Sequence, residues 1–194
     1  MQNRINFEAR AVPLMLALVA ESAFERGASR QIYIKRMLSV HLLPMYYSEL
    51  LTSLGKCHEH GFESAKHVLP HGSYLVNLAQ EDPEKATQAY EAFLDDLQRC
   101  EALNIKLYNF HPGWTGTASR PSAIGRIAAA LNRAHKATNT VVPVLETMAG
   151  SGNVIGSSFE DLRDIIHLID DKSRIGVCID TCKSSAPCCP FTKL

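Results

Sequence analysis

Ile105-Lys-Leu-Tyr-Asn-Phe-His-Pro-Gly113 and Thr140-Val-Val-Pro-Val-Leu-Glu146 decide how this sequence folds. Each is a short apolar run that stops on a residue able to bind a metal. A helical pattern lies between them. Two runs of the same kind flank the pair: His67-Val-Leu-Pro-His71 before it and Ile175-Gly-Val-Cys-Ile-Asp180 after it. Three of these runs are rich in Val, Ile or Leu, as a strand buried on both faces must be. The spacing predicts helices between them. Asp82-Pro83 supplies an N-cap and a first-turn proline for a helix from Glu84 to Leu103. Its apolar stripe is Ala86, Ala89, Tyr90, Phe93, Leu97 and Cys100. Ser122 is expected to open a second helix, with Ile124, Ile127, Leu131 and Ala134 on one face. Ser158-Phe-Glu-Asp161 has the form of a capping box, and Leu162, Ile165, Ile166 and Ile169 follow it at inward-facing positions. Strand and helix in regular alternation mean parallel strands joined by crossover helices, hence an α/β barrel or sheet.

The strand ends carry the chemistry. In a parallel α/β barrel or sheet every strand C-terminus opens on one face, where active sites form. His71, His111, Glu146 and Asp180 therefore share a rim, although they are far apart in sequence. Two imidazoles and two carboxylates suit zinc, and a carboxylate can bridge two ions. Any one of them alone is also what a satisfied polar strand end looks like. Four in phase point to a metal centre. His135 and His167 fall within helices, away from strand ends, and read as packing or surface residues.

The remaining sequence sets bounds. The chain has 194 residues, 46% hydrophobic and 21% charged, with 20 basic and 20 acidic side chains. That is an ordinary globular composition, short of the roughly 250 residues of a complete eight-unit barrel. Zero net charge leaves any nucleic-acid contact to a local patch. The six cysteines (Cys57, Cys100, Cys178, Cys182, Cys188 and Cys189) read as reduced thiols rather than a disulfide framework. A metal site at the Cys182, Cys188, Cys189 cluster lacks a nearby His or a second Cys pair. Ala11 to Ala20 is too short to cross a bilayer, for which about 20 apolar residues are needed. Arg4 and Arg10 give it some signal-peptide character, but Glu8 and Pro13 oppose that, and a buried helix or a transit segment are the other readings. Helices are expected from Leu14 to Arg26, between Pro13 and Gly27, and from Tyr46 to Leu54. The chain thus divides into an N-terminal segment (1–55), a strand–helix region (56–182) and a divergent tail (183–194).

The local sequences around the four ligand-type residues resemble the endonuclease IV family of apurinic/apyrimidinic (AP) endonucleases. The likeness rests on Leu69-Pro-His-Gly-Ser-Tyr-Leu-Val-Asn77, Leu107-Tyr-Asn-Phe-His-Pro-Gly113, Val144-Leu-Glu-Thr-Met-Ala-Gly-Ser-Gly152 and Gly176-Val-Cys-Ile-Asp-Thr-Cys182. The linking segments Phe93–Cys100, Asn132–His135 and Asp171–Cys178 share it. The resemblance implies a partial (β/α)8 TIM barrel, about strands three to six, preceded by a helical N-terminal segment foreign to the family. It implies zinc as cofactor, three ions in a complete member and at most a partial site here. It also implies double-stranded DNA with abasic sites as partner, cut on the 5′ side in base excision repair by a monomer that needs no membrane. His71 and His111 would ligate one zinc, Glu146 would bridge two and be catalytic, and Asp180 would ligate the second. Tyr74 would contact DNA near the lesion, or pack its ring over the strand end. A repair role implies the nucleus or mitochondrion in a eukaryote, the cytoplasm in a bacterium.

The sequence also departs from that pattern. Lys183 stands where the family has a histidine for the third ion, and the expected N-terminal DNA-contacting loops are not recognisable in the first 55 residues. These departures predict a truncated or mis-spliced product with little or no nuclease activity. The competing readings are a xylose-isomerase-like sugar isomerase or epimerase, which shares the barrel and rim-metal plan, and a non-catalytic fragment that binds zinc or DNA.

Overall fold

The computed structural model describes residues 14–15, 55, 58–61, 63–150 and 152–180. In chain order the elements are β1 (Leu14–Met15), α1 (Ser64–His67), α2 (Pro83–Ala102), β2 (Leu107–Phe110), β3 (Gly113–Trp114), α3 (Arg120–Ala137), β4 (Val142–Glu146), β5 (Val154–Ile155), α4 (Phe159–His167), a 3-10 turn (Lys172–Arg174) and β6 (Gly176–Cys178). The main sheet runs β1-β6-β4-β2 and is parallel throughout. His71 extends it past β2 through a parallel bridge to Asn109. From that bridge through β2 and β4 to β6, neighbours in space follow chain order, with α2, α3 and α4 as crossovers. This is the strand–helix plan of a (β/α) barrel.

The helices begin where their caps direct. The Asp82 carboxylate accepts from the Lys85 amide, and Pro83 takes the first turn. The Ser158 hydroxyl accepts from the Asp161 amide and opens α4. The middle helix starts earlier than the expected Ser122. Ser119 is its cap, accepting from the Ser122 amide, and Pro121 sits inside the first turn, where a missing amide costs nothing. The predicted inward positions of this helix, Ile124, Ile127, Leu131 and Ala134, are all buried. They form one core with Phe93, Leu97 and Cys100 of α2, Leu162 and Ile165 of α4, and the strand residues Tyr108, Phe110 and Leu145.

Two expectations are corrected. His67 to Val68 is not strand: His67 closes α1, and the run contributes only isolated bridges. Pro70 lacks an amide, so it can offer the ladder only its carbonyl, which accepts from the Asn109 amide at 2.9 Å. Leu14 and Met15 do not start a helix; they pair in parallel with Val177 and Cys178 of β6. An antiparallel ribbon, β3 against β5, stands beyond the sheet and has no counterpart in the sequence reading. The expected helix Tyr46–Leu54 and the Cys182, Cys188, Cys189 cluster lie outside the described residues, as does the rest of the segment predicted helical up to Arg26. Cys100 and Cys178 are buried and not disulfide-bonded, and burial pushes the Cys100 thiol far above its ordinary value. No helix among the described residues is long and apolar enough to cross a membrane.

Candidate metal centre

Three of the four rim residues converge. Ligand atoms of His71, His111 and Glu146 lie within 4.8 Å of one another. Glu146 is the last residue of β4 and His111 follows β2, whose register sets Phe110 beside Leu145. His71 sits on the bridge to Asn109, so each histidine comes from the chain next to β4 or one step beyond. Glu146 is buried (3% exposed), and the two imidazoles are half-buried. His71 Nε2 is 2.6 Å from Glu146 Oε2, and His111 Nε2 is 3.5 Å from the same oxygen.

The hydrogen bonds around His71 say what the pair is for. Its Nδ1 lies 2.7 Å from the Gly72 carbonyl oxygen, which only accepts, so Nδ1 carries the proton. Its Nε2 is thereby aimed at the Glu146 carboxylate, with which it makes an ion pair when the ring is protonated. When the ring is neutral, Nε2 presents a lone pair beside the carboxylate oxygen, as a metal ligand does. A carbonyl behind the outer nitrogen of a histidine is also the usual arrangement for orienting a metal ligand. The donor set of two imidazoles and a carboxylate therefore fits a divalent ion.

Asn109 was missed as a site residue. Its amide nitrogen donates to Glu146 Oε2 at 2.7 Å, while its own Oδ1 is buried with no hydrogen-bond partner. Its backbone also receives the His71 loop, accepting from the Gly72 amide at 2.8 Å. In the sequence it stands two residues before His111, inside the Leu107–Gly113 motif. Gly72 itself is required by Tyr108, because a Cβ there would run into the Tyr108 hydroxyl.

Asp180 does not join the three-residue group. It lies two residues beyond β6, buried, with its amide donating to Thr147 Oγ1 at 2.9 Å. Thr147 directly follows Glu146, so Asp180 is on the adjoining strand end but outside the 4.8 Å cluster. Tyr74 packs its ring over the strand ends, the second of its two sequence readings. Its ring stacks on His71 (centroids 5.2 Å apart) and meets His111 edge-on at 4.6 Å, yet Tyr74 remains 56% exposed. His135 is buried in α3 and His167 is exposed in the last turn of α4, away from the rim, as expected.

Comparison with known proteins follows the same residues. A family model described as a xylose isomerase-like TIM barrel matches residues 28–186, beginning inside the 1–55 segment. The chain belongs to that family. Among curated proteins it is 45% identical over 166 residues to apurinic-apyrimidinic endonuclease 1 of Saccharomyces cerevisiae, covering 85% of this chain and 45% of the relative. It is 48% identical over 161 residues to the protein of that name from Plasmodium berghei, covering 82% of this chain and 31% of the relative. The chain thus spans less than half of these relatives' length. Among solved structures, endonuclease IV from Thermus thermophilus superposes with a TM-score of 0.57 at 26% identity, covering 79% of this chain and 53% of that one. D-psicose 3-epimerase from Clostridium cellulolyticum superposes with a TM-score of 0.60 at 18% identity, over 75% of this chain and 51% of that one, a likeness of fold alone. The endonuclease IV-type proteins are thus its relatives in sequence as well as in fold.

Proposed function

We propose that this chain carries the metal-binding rim of a zinc-dependent AP endonuclease of the endonuclease IV type, acting on double-stranded DNA in base excision repair with cleavage 5′ to abasic sites. The observation that carries the reading is the His71–Glu146–His111 convergence, with Tyr74 half-exposed over it, in a chain whose sequence relatives bear that enzyme's name. His71, His111 and Glu146 would hold a zinc ion, and Asp180 would serve a second ion on the adjoining strand end. Zinc there would supply Lewis acidity to a phosphodiester oxygen. The chain's own residues do the rest. Gly72 and Asn109 hold His71 and Glu146 in register, and Tyr74 covers the imidazoles against water. The half-exposed ring offers a face to the gap left by a missing base. Lys183, where the resemblance places a third-ion histidine, lowers the incision rate expected of this chain.

Binding tests the reading more directly than turnover. Fluorescence anisotropy of a labelled duplex should show tighter, zinc-dependent binding when the duplex contains an abasic site, with the preference removed by a chelator. Equal affinity for intact and abasic duplexes, alongside zinc-dependent epimerisation of ketoses, would overturn it in favour of a sugar epimerase.

A further inference from the structure

Trp114 is the sole tryptophan of the chain and stands 40% exposed on β3, three residues beyond His111. Its backbone is held with unusual care. Asn77, 3% exposed, accepts from the Trp114 amide through Oδ1 at 3.2 Å and donates to the Trp114 carbonyl through Nδ2 at 3.0 Å. One side-chain amide thus imitates a neighbouring strand. The same Oδ1 accepts from the Ala79 amide at 3.0 Å. Gly113, at φ +124°, leaves room for it, since a Cβ there would strike Asn77 Oδ1. On the other side β5 completes the ribbon, with Trp114 opposite Val154.

A buried amide and a positive-φ glycine therefore fix the backbone of a residue that keeps 40% of its surface exposed. Packing gives no reason for the exposed part of so large an apolar ring. Asn77 also follows Tyr74 by three residues. The loop that bears Tyr74 and the ribbon that bears Trp114 are consequently tied to one side chain at the rim of the metal cluster. Two rings on rigid supports beside a phosphodiester-cleaving centre form a stacking platform, and every nucleobase presents a π-face to such a platform.

We infer that Trp114 is a second aromatic contact for the DNA, stacking its indole on a nucleobase that flanks the abasic site. The inference rests on the proposed DNA-repair reading. Its test uses the fact that the chain has one tryptophan. The zinc-loaded chain is titrated with an abasic-site duplex while indole emission and anisotropy of a label on the duplex are followed together. Emission should be quenched with the same midpoint as the anisotropy rise. Trp114→Ala should weaken duplex binding about tenfold, Trp114→Phe should restore most of it, and zinc affinity should be unchanged in both. An anisotropy rise with unaltered emission, or wild-type duplex affinity in Trp114→Ala, overturns the inference and leaves the function standing. Absence of any anisotropy rise overturns both.

Discussion

Two ends of the same strands use their polar side chains differently. Before the strands begin, Glu101 and Arg174 tie down backbone groups, although Arg174 Nε and both His135 ring nitrogens are buried without a hydrogen-bond partner. Glu101 Oε1 accepts from the Asn139 amide at 2.7 Å, the Val141 amide at 3.2 Å and the Thr140 hydroxyl at 3.1 Å, and also from the Thr140 amide. Burial raises the Glu101 carboxyl, but these donors outweigh it and hold it below the usual carboxylate range. Arg174 donates to the carbonyls of His135, Thr138 and Val141 and to the Thr138 hydroxyl. It thereby closes the end of α3 onto the start of β4. After the strands end, polar side chains instead crowd onto one another. His71 Nε2 lies 2.6 Å and His111 Nε2 3.5 Å from Glu146 Oε2, and Asn109 Oδ1 is buried without a partner. One face binds side chains to backbone groups and holds the fold together. The other gathers two imidazoles and a carboxylate at one point, where barrel active sites lie.

That contrast can be broken or sharpened by substitution. The largest expected effect lies between the two faces, where Asp96 of α2 meets Tyr108 of β2 at 2.6 Å. Burial pushes the Asp96 carboxyl up to about 7, only partly offset by the Tyr108 hydrogen bond. The native state keeps a proton that the unfolded chain has released, so stability falls as pH rises from about 4 to 7. A rise of about 3 pKa units corresponds to about 4 kcal/mol, an upper figure for this group. Asp96→Asn should match the wild type near pH 4 and exceed it above pH 7 in denaturant titrations. Parallel curves at all pH values would contradict the assignment.

Next in size, Arg174→Ala should cost about 3 kcal/mol, because it strips donors from four acceptors at once. Thermal unfolding should shift down by roughly 6–12 °C. Zinc affinity of the folded variant should not change, since the lesion lies at the opposite end of the strands. The smallest effect is expected at Asn109→Ala, which removes an orienting bond to Glu146. It should weaken zinc binding about 10- to 100-fold and leave the metal-free stability near that of the wild type. A large loss of metal-free stability would place Asn109 with Arg174 rather than with the site.

Much of this was legible in the sequence, for identifiable reasons. The three helices carried cap residues and a 3.6-residue stripe, and the strands β2, β4 and β6 fell inside apolar runs too short for helices. The first run misled because Val68 and Leu69 look like strand, while Pro70 prevents a full ladder and His67 completes a helical turn. The β3–β5 ribbon was invisible because two-residue strands carry no periodicity. At the site, position at a strand end located His71, His111, Glu146 and Asp180 on one rim. It could not show that Asp180 stays outside the tight cluster, which is set by how the strand ends are placed in space. Asn109 stood inside a quoted motif, but its role appears only once its side chain is seen reaching β4.

The central claim is that the convergence of His71, His111 and Glu146 is a cation site. Zinc titration of the wild type and of Glu146→Gln by isothermal calorimetry tests it most directly, with circular dichroism confirming that both are folded. The wild type should bind zinc, and Glu146→Gln should bind it at least about a hundredfold more weakly, because the amide removes the negative charge shared by both imidazoles. Equal zinc affinity in the two proteins would contradict the claim.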